Sequence, residues 1–203
     1  MDPSTGDLAA SGAAIAIYPH ATGAPRIYSS PAYIFRFCGY NNHSDLFLSA
    51  TALTSRGDTV LLRLSHGSNA VQQIAVKASL YSNPNMYPSV QWDGDHITMS
   101  STFSLGNVGP VSIYSLRIAG TQGTIVGTTT LNSKKNKYTG QLWIQRKSIL
   151  AVDYARHGGQ VGEWKYPAGG TPRKNIVDLR GGGIYTGVAV SPPSWTYAGS
   201  SMH

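Results

Sequence analysis

No window of about 12 residues in this chain carries apolar residues at helical spacing, whereas short alternating runs recur at roughly 8–12-residue intervals with turn chemistry between them. That rhythm constrains the fold more than any other feature. It leaves room for nothing helical beyond a turn, and it asks for many short strands closed into a sandwich or barrel. The clearest runs are 14–18, closed by Pro19, and 32–38, the most aromatic. Runs 46–53 and 59–64 face each other across Ser55-Arg56-Gly57-Asp58, and in 71–80 the residues Ile74, Val76, Ala78 and Leu80 fall on one face. Val90–Trp92 and 96–105 flank Asp93-Gly94, a dipeptide suited to a tight hairpin. Further runs lie at 111–118, 123–131, 138–145, 149–154, 161–166, 176–179, 184–190 and 194–197.

Composition agrees with strands. A single glutamate, Glu163, occurs in 203 residues. Glutamate, lysine, alanine and leucine clothe exposed helix faces because they lose little rotamer freedom there. The threonine, valine, isoleucine and tyrosine of this chain suit a pleated, half-buried surface instead. Charged residues make up 12% of the chain, about half the usual share, so the surface must be dressed largely in Ser, Thr, Asn, Gln and Tyr. The expected fold is all-β, an antiparallel β-sandwich of jelly-roll or Greek-key type with long polar loops. Residues 1–12, acidic, small and patternless, are expected to be a flexible arm or connector. Residues 13–203 are expected to form one domain, a length that a single all-β core can fill.

The formal net charge of +7 is unevenly spread. Residues 1–116 hold five Arg/Lys against six Asp, a net −1, while residues 117–203 hold eleven Arg/Lys against three acids, a net +8. A basic half points to an anionic partner or to a merely solvated face. Cys38 is the only cysteine, so no disulfide forms within the chain, and in its apolar run it is expected to behave as a small buried hydrophobe. The stretch 8–18 follows Asp2 and Asp7 rather than a basic segment and is broken by Ser11 and Gly12, so no signal peptide is expected. No apolar run approaches the length of a membrane span. Synthesis in a reducing compartment together with the polar dress of an exposed domain is expected of a viral structural protein.

Motifs for chemistry are sparse. Asp93-Gly94-Asp95-His96 brings oxygen and imidazole ligands together, but it lacks the later glutamate of a calcium loop and the partner pair of a zinc site. A hairpin turn accounts for it. No Gly-x-Ser-x-Gly elbow is present, and nothing marks Cys38 and His43 as a nucleophile and its base. Of nine acids, Asp2 and Asp7 lie in the expected arm and Asp58, Asp93 and Asp95 in turns. Asp153 and Glu163 are the ones of interest for paired-carboxylate chemistry, and an ion pair with Arg156 is the ordinary explanation for Asp153. Arg180-Gly181-Gly182-Gly183 precedes no helical pattern and so is no phosphate loop, and Arg56-Gly57-Asp58 coincides with a turn. Neither a cofactor nor a metal nor a catalytic centre is expected.

The basic cluster is the most informative feature. Lys134, Lys135 and Lys137 lie in the loop 132–137, and Arg146 and Lys147 in the next connection. If the intervening runs form a meander, these groups fall at opposite ends and make one patch only with help from Arg156, Arg173 or Lys174. A nucleic-acid groove needs exposed aromatics along its charge track. Tyr138, Trp143, Tyr154, Trp164 and Tyr166 are interleaved there, but most are expected in the core or an interface. A host receptor protein or an anionic glycan is therefore the favoured partner, and nucleic acid the weaker one.

In general layout the chain resembles the trimeric head domains of viral fibres, such as the adenovirus fibre knob. A small-residue connector leads into Ala14-Ile15-Ala16-Ile17, many short strands with polar loops follow, and the chain closes on Ile184-Tyr185-Thr186-Gly187-Val188-Ala189-Val190 and the aromatic Ser194-Trp195-Thr196-Tyr197. The Thr-Leu-Trp-Thr opening of mammalian adenovirus knobs has no counterpart here, so no residue role carries over. The resemblance implies a trimerising β-sandwich that attaches a virion to its host. The sequence thus leads us to expect a non-enzymatic attachment domain on a virion surface, assembled as a homotrimer. Its rivals are a jelly-roll coat subunit, which would normally carry a basic rather than an acidic N-terminal arm, and a β-sandwich lectin or polysaccharide-acting enzyme.

Overall fold

The computed structural model describes residues 1–53, 58–76, 88–101, 110–132, 141–155 and 158–179. Fifteen strands account for nearly all the regular structure of these residues, and the pairing is antiparallel apart from two short parallel contacts. β1 (Leu8–Ser11), β2 (Ile15–Tyr18) and β3 (Arg26–Tyr28) form a small three-stranded sheet. Three four-stranded meanders follow. The first is β4 (Tyr33–Tyr40), β5 (Leu46–Ala52), β6 (Thr59–Leu64) and β7 (Gln72–Val76). The second is β8 (Val90–Trp92), β9 (Ile97–Ser100), β10 (Val111–Ala119) and β11 (Gln122–Leu131). The third is β12 (Trp143–Gln145), β13 (Ser148–Ala155), β14 (Gly158–Lys165) and β15 (Gly169–Leu179). β11 stitches them together, its start lying parallel to β7 at Ala75 and Val76 and its end parallel to β15 at Gly170.

The layers follow from which faces are apolar. β5 is buried at every position, because Leu46, Leu48 and Ala50 pack one way and Phe47 the other. A strand covered on both faces carries a near-continuous apolar run, as Leu46-Phe47-Leu48 does. On one side Ile15 and Ile17 of β2 close over Phe35, Leu48 and Leu62. On the other side Phe47, Leu61 and Ile74 meet Val90, Ile97, Met99 and Leu116. This is the sandwich-like all-β packing that the turn-punctuated runs lead one to expect. A third cluster joins Ile113 and Leu131 to Ile144, Ile149, Ala151 and Trp164, fastening the last meander to the body.

Both expected hairpins form. β5 pairs with β6 from Leu46↔Leu64 to Thr51↔Thr59, and β8 with β9 across Asp93-Gly94, where Gly94 takes φ +114°. The Asp93 carboxylate accepts the backbone N–H groups of Asp95 at 2.8 Å and His96 at 2.7 Å, the side-chain-to-backbone bonding that makes aspartate a turn residue.

The N-terminal segment differs from expectation. Residues 1–12 are not a free arm, for β1 pairs with β2 and Asp2 is almost fully buried. Local bonding supplies what periodicity does not. The Ser11 hydroxyl donates to the Arg36 carbonyl, and the Phe35 N–H to the Gly12 carbonyl at 3.1 Å, tying the segment to β4. β15 also begins seven residues ahead of the run expected at 176–179. The runs expected at 184–190 and 194–197 lie outside the described residues, as does the turn 54–57.

Candidate anion-binding face

The outer face of the last meander is built by register. Directly paired residues on antiparallel strands share a face, and successive residues of one strand alternate between faces. One inner row, Ile144↔Ile149↔Trp164, is buried in the third core cluster. The outer row on one side of it is Trp143↔Leu150↔Glu163↔Lys174, and that on the other side is Gln145↔Ser148↔Lys165↔Gly169. Three strand spacings make the first row about 14 Å long, and the two outer rows lie about 7 Å apart. Gln145, Lys165, Arg173 and Lys174 are exposed, while Trp143, Ser148, Leu150 and Glu163 are half-buried. Arg146 and Lys147, also exposed, form the two-residue turn that joins β12 to β13 at the end of the second row.

Arg146, Lys147, Lys165 and Lys174 thus gather on one sheet and its turn, Arg173 reaches the same place beside the bulge, and among the described side chains Glu163 is the acid in their midst. The Glu163 carboxylate accepts the Ser148 hydroxyl at 2.7 Å and lies 3.8 Å from the Arg173 guanidinium. Two features hold the face rigid. Beneath it the fully buried Trp164 lies flat against Gly162, where an added Cβ would come within 2.5 Å of the indole, and its Nε1–H reaches the Asn132 carbonyl at 3.3 Å. At its edge Arg146 takes φ +52°, a left-handed conformation that costs a non-glycine residue about 1 kcal/mol. A long cationic side chain is carried where glycine would be cheaper.

Polar chemistry elsewhere is turned inward. The Tyr166 hydroxyl donates to Asp93 and lies 3.2 Å from the Ser115 hydroxyl; burial and this bond to a carboxylate push the phenol well above its ordinary range. His96 Nδ1 stands 4.0 Å from the same carboxylate. The Asp93 network therefore locks the β8–β9 turn to the residue that follows β14. Asp2 accepts the Ser4 N–H at 2.8 Å, the Thr5 hydroxyl at 2.8 Å and the Ser44 hydroxyl at 3.3 Å. Burial pushes this carboxyl up, but those bonds outweigh it and leave the group below the usual carboxylate range.

Beside Asp2 runs an open cleft lined by Asp7, Arg26, Tyr40, Ser44 and His66, with space of about 20 Å³, enough for a water molecule. The Tyr40 hydroxyl is buried there without a partner, and burial followed by the charges of Asp7 and Asp2 pushes its phenol well up. Among the described residues no three His, Cys, Asp or Glu side chains gather as metal ligands. Cys38 is half-buried against the first core cluster, burial of its thiol pushes the pKa up, and its sulfur faces the Ala9 carbonyl at 3.9 Å rather than a base.

Of the binding residues expected from sequence, Arg146 and Lys147 sit on the face, and Arg173 and Lys174 join them there. Lys134, Lys135 and Lys137 lie outside the described residues, as do Arg156 and the side chain of Asp153. Lys165 and Gln145 were not singled out by sequence reasoning. The signal for Lys165 was present in the alternation Val161-Gly162-Glu163-Trp164-Lys165, which puts Glu163 and Lys165 opposite a core tryptophan.

No protein-family model matches this chain, and no curated protein shows significant similarity to it.

Proposed function

We propose that the chain is a non-catalytic attachment domain of a virion surface, working as a homo-oligomer and engaging an anionic host receptor or glycan through the β12–β15 face. The observation that carries this reading is the gathering, among the described side chains, of five exposed cations around Glu163 on one sheet, at the basic end of a chain whose first 116 residues net −1. Charge presented on a firm, open surface steers an oppositely charged partner and fixes its orientation. The assignment to a virion rests on the likeness in layout to fibre heads and on the polar, disulfide-free composition.

Cell binding together with solution mass tests the proposal. A salt-resistant trimer whose attachment to host cells is lost in a K165Q/K174Q variant is expected. With four or five charge contacts, attachment should weaken roughly 50–500-fold between 50 and 200 mM salt. A monomer that attaches equally well with and without those lysines would overturn the proposal. Large particles that fall apart in salt would favour the coat-subunit reading.

A further inference from the structure

We infer that the ligand of this face is an acidic glycan, a chain in which sulfate or carboxylate groups alternate with free hydroxyls, rather than a nucleic acid or an acidic peptide. The inference rests on the attachment reading of the same face and names its substrate class. Its key is Glu163. A carboxylate amid these cations repels every anionic group it meets, the acid groups of a glycan included, and gains only from neutral donors set between them, which a sugar supplies at each ring and a DNA backbone or a run of acidic side chains does not. Toward a sugar it is an asset, since a ring hydroxyl can donate to the carboxylate while acid groups on either side meet Lys174 and Lys165.

The neighbours of Glu163 fit the same ligand. In the row beside it the Gln145 amide both donates and accepts, as sugar hydroxyls do, and the Ser148 hydroxyl, its hydrogen given to Glu163, still accepts. Trp143 at the far end of the Glu163 row offers an apolar ring flanked by Leu150, a place for one sugar face. A single-stranded nucleic acid needs aromatic platforms repeated along its charge track. Here one half-buried Trp143 stands two strands away from Glu163 and three from Lys174. Arg173, held 3.8 Å from Glu163, keeps a guanidinium beside the carboxylate, so both a hydroxyl and an acid group find partners within one row.

The test compares three probes on the whole chain: a heparin-derived oligosaccharide, the same oligosaccharide desulfated but still carrying carboxylates, and an oligonucleotide of matched charge. The glycan is expected to bind at least tenfold tighter than the oligonucleotide and to lose at least tenfold in K165Q/K174Q but not in R117Q, whose cation is on β10. Binding of the desulfated probe assigns the acid group as carboxylate, and its failure assigns it as sulfate. In E163Q the ratio of glycan to oligonucleotide affinity should fall at least threefold, a ratio in which the general effect of removing one negative charge cancels. An oligonucleotide that binds as tightly as the glycan, or an unchanged ratio in E163Q, overturns the inference. Cell attachment that needs Lys165 and Lys174 without measurable glycan affinity overturns the inference while the attachment reading stands; attachment indifferent to those lysines removes both.

Discussion

The N-terminal corner and the β12–β15 face treat charge in opposite ways. In the corner every carboxylate has donors of its own: Asp2 has three, Asp7 accepts the His20 N–H at 3.0 Å and lies 3.6 Å from Arg26, and Asp45 accepts the His66 N–H at 3.0 Å. Among the described side chains of the sheet face, Arg146, Lys147, Lys165 and Lys174 are exposed to solvent, and Arg173 lies beside the acid, Glu163. Charge in the corner organises backbone and holds the first residues down. Charge on the face, the Arg173–Glu163 pair apart, is left available. A net charge summed over residues hides this difference, because what matters is whether each group meets a partner within the protein.

The comparison can be broken most severely from below the face. Replacing Trp164 by alanine should cost about 3–5 kcal/mol, since the indole is fully buried in the cluster that fastens the last meander. Chemical denaturation would show it. A loss under 1 kcal/mol would mean that the face is not held by that cluster.

In the corner, Asp2→Asn should cost about 1–2 kcal/mol at neutral pH, because the amide leaves at least one of three donors poorly paired. The sign with pH follows from the lowered carboxyl. Its stabilisation is complete above the ordinary carboxylate range and fades as pH falls through the lower folded-state value. Wild type and variant should therefore converge in stability towards pH 2. A difference that persisted undiminished in acid would assign the effect to packing.

The turn sharpens the comparison with an effect of opposite sign. Arg146→Gly should stabilise the fold by about 0.5–1 kcal/mol by relieving a positive φ, while weakening anion binding several-fold. Matched melting and binding curves check it, and a variant that lost both would mark Arg146 as structural. Smallest of all, Lys165→Gln and Lys174→Gln should each change stability by under about 0.5 kcal/mol, as exposed substitutions do.

Much of the fold was legible because turn chemistry is local. Asp93-Gly94 and the apolar runs of β5 and β6 announced their hairpins within a few residues. β1 and β3 were not legible. Leu8-Ala9-Ala10-Ser11 and Arg26-Ile27-Tyr28 are too short and too mixed to show a period, and Asp2 is fixed by bonds to Ser4, Thr5 and Ser44 that no pattern announces. The face was half legible. Arg146 and Lys147 were visible as a basic turn, but the row Trp143↔Leu150↔Glu163↔Lys174 exists only once four strands take their register. The bulge between Glu163 and Lys165, which sets Lys174 beside Glu163, has no sequence mark of its own.

Amide hydrogen exchange with and without an acidic oligosaccharide tests this division of roles most directly. Added ligand should slow exchange in β12, β13 up to Leu150, and the stretch from Glu163 to Lys174, and leave residues 1–28 unchanged. Protection centred on residues 1–28 or on the cleft at Asp2, with the last meander unaffected, would contradict it.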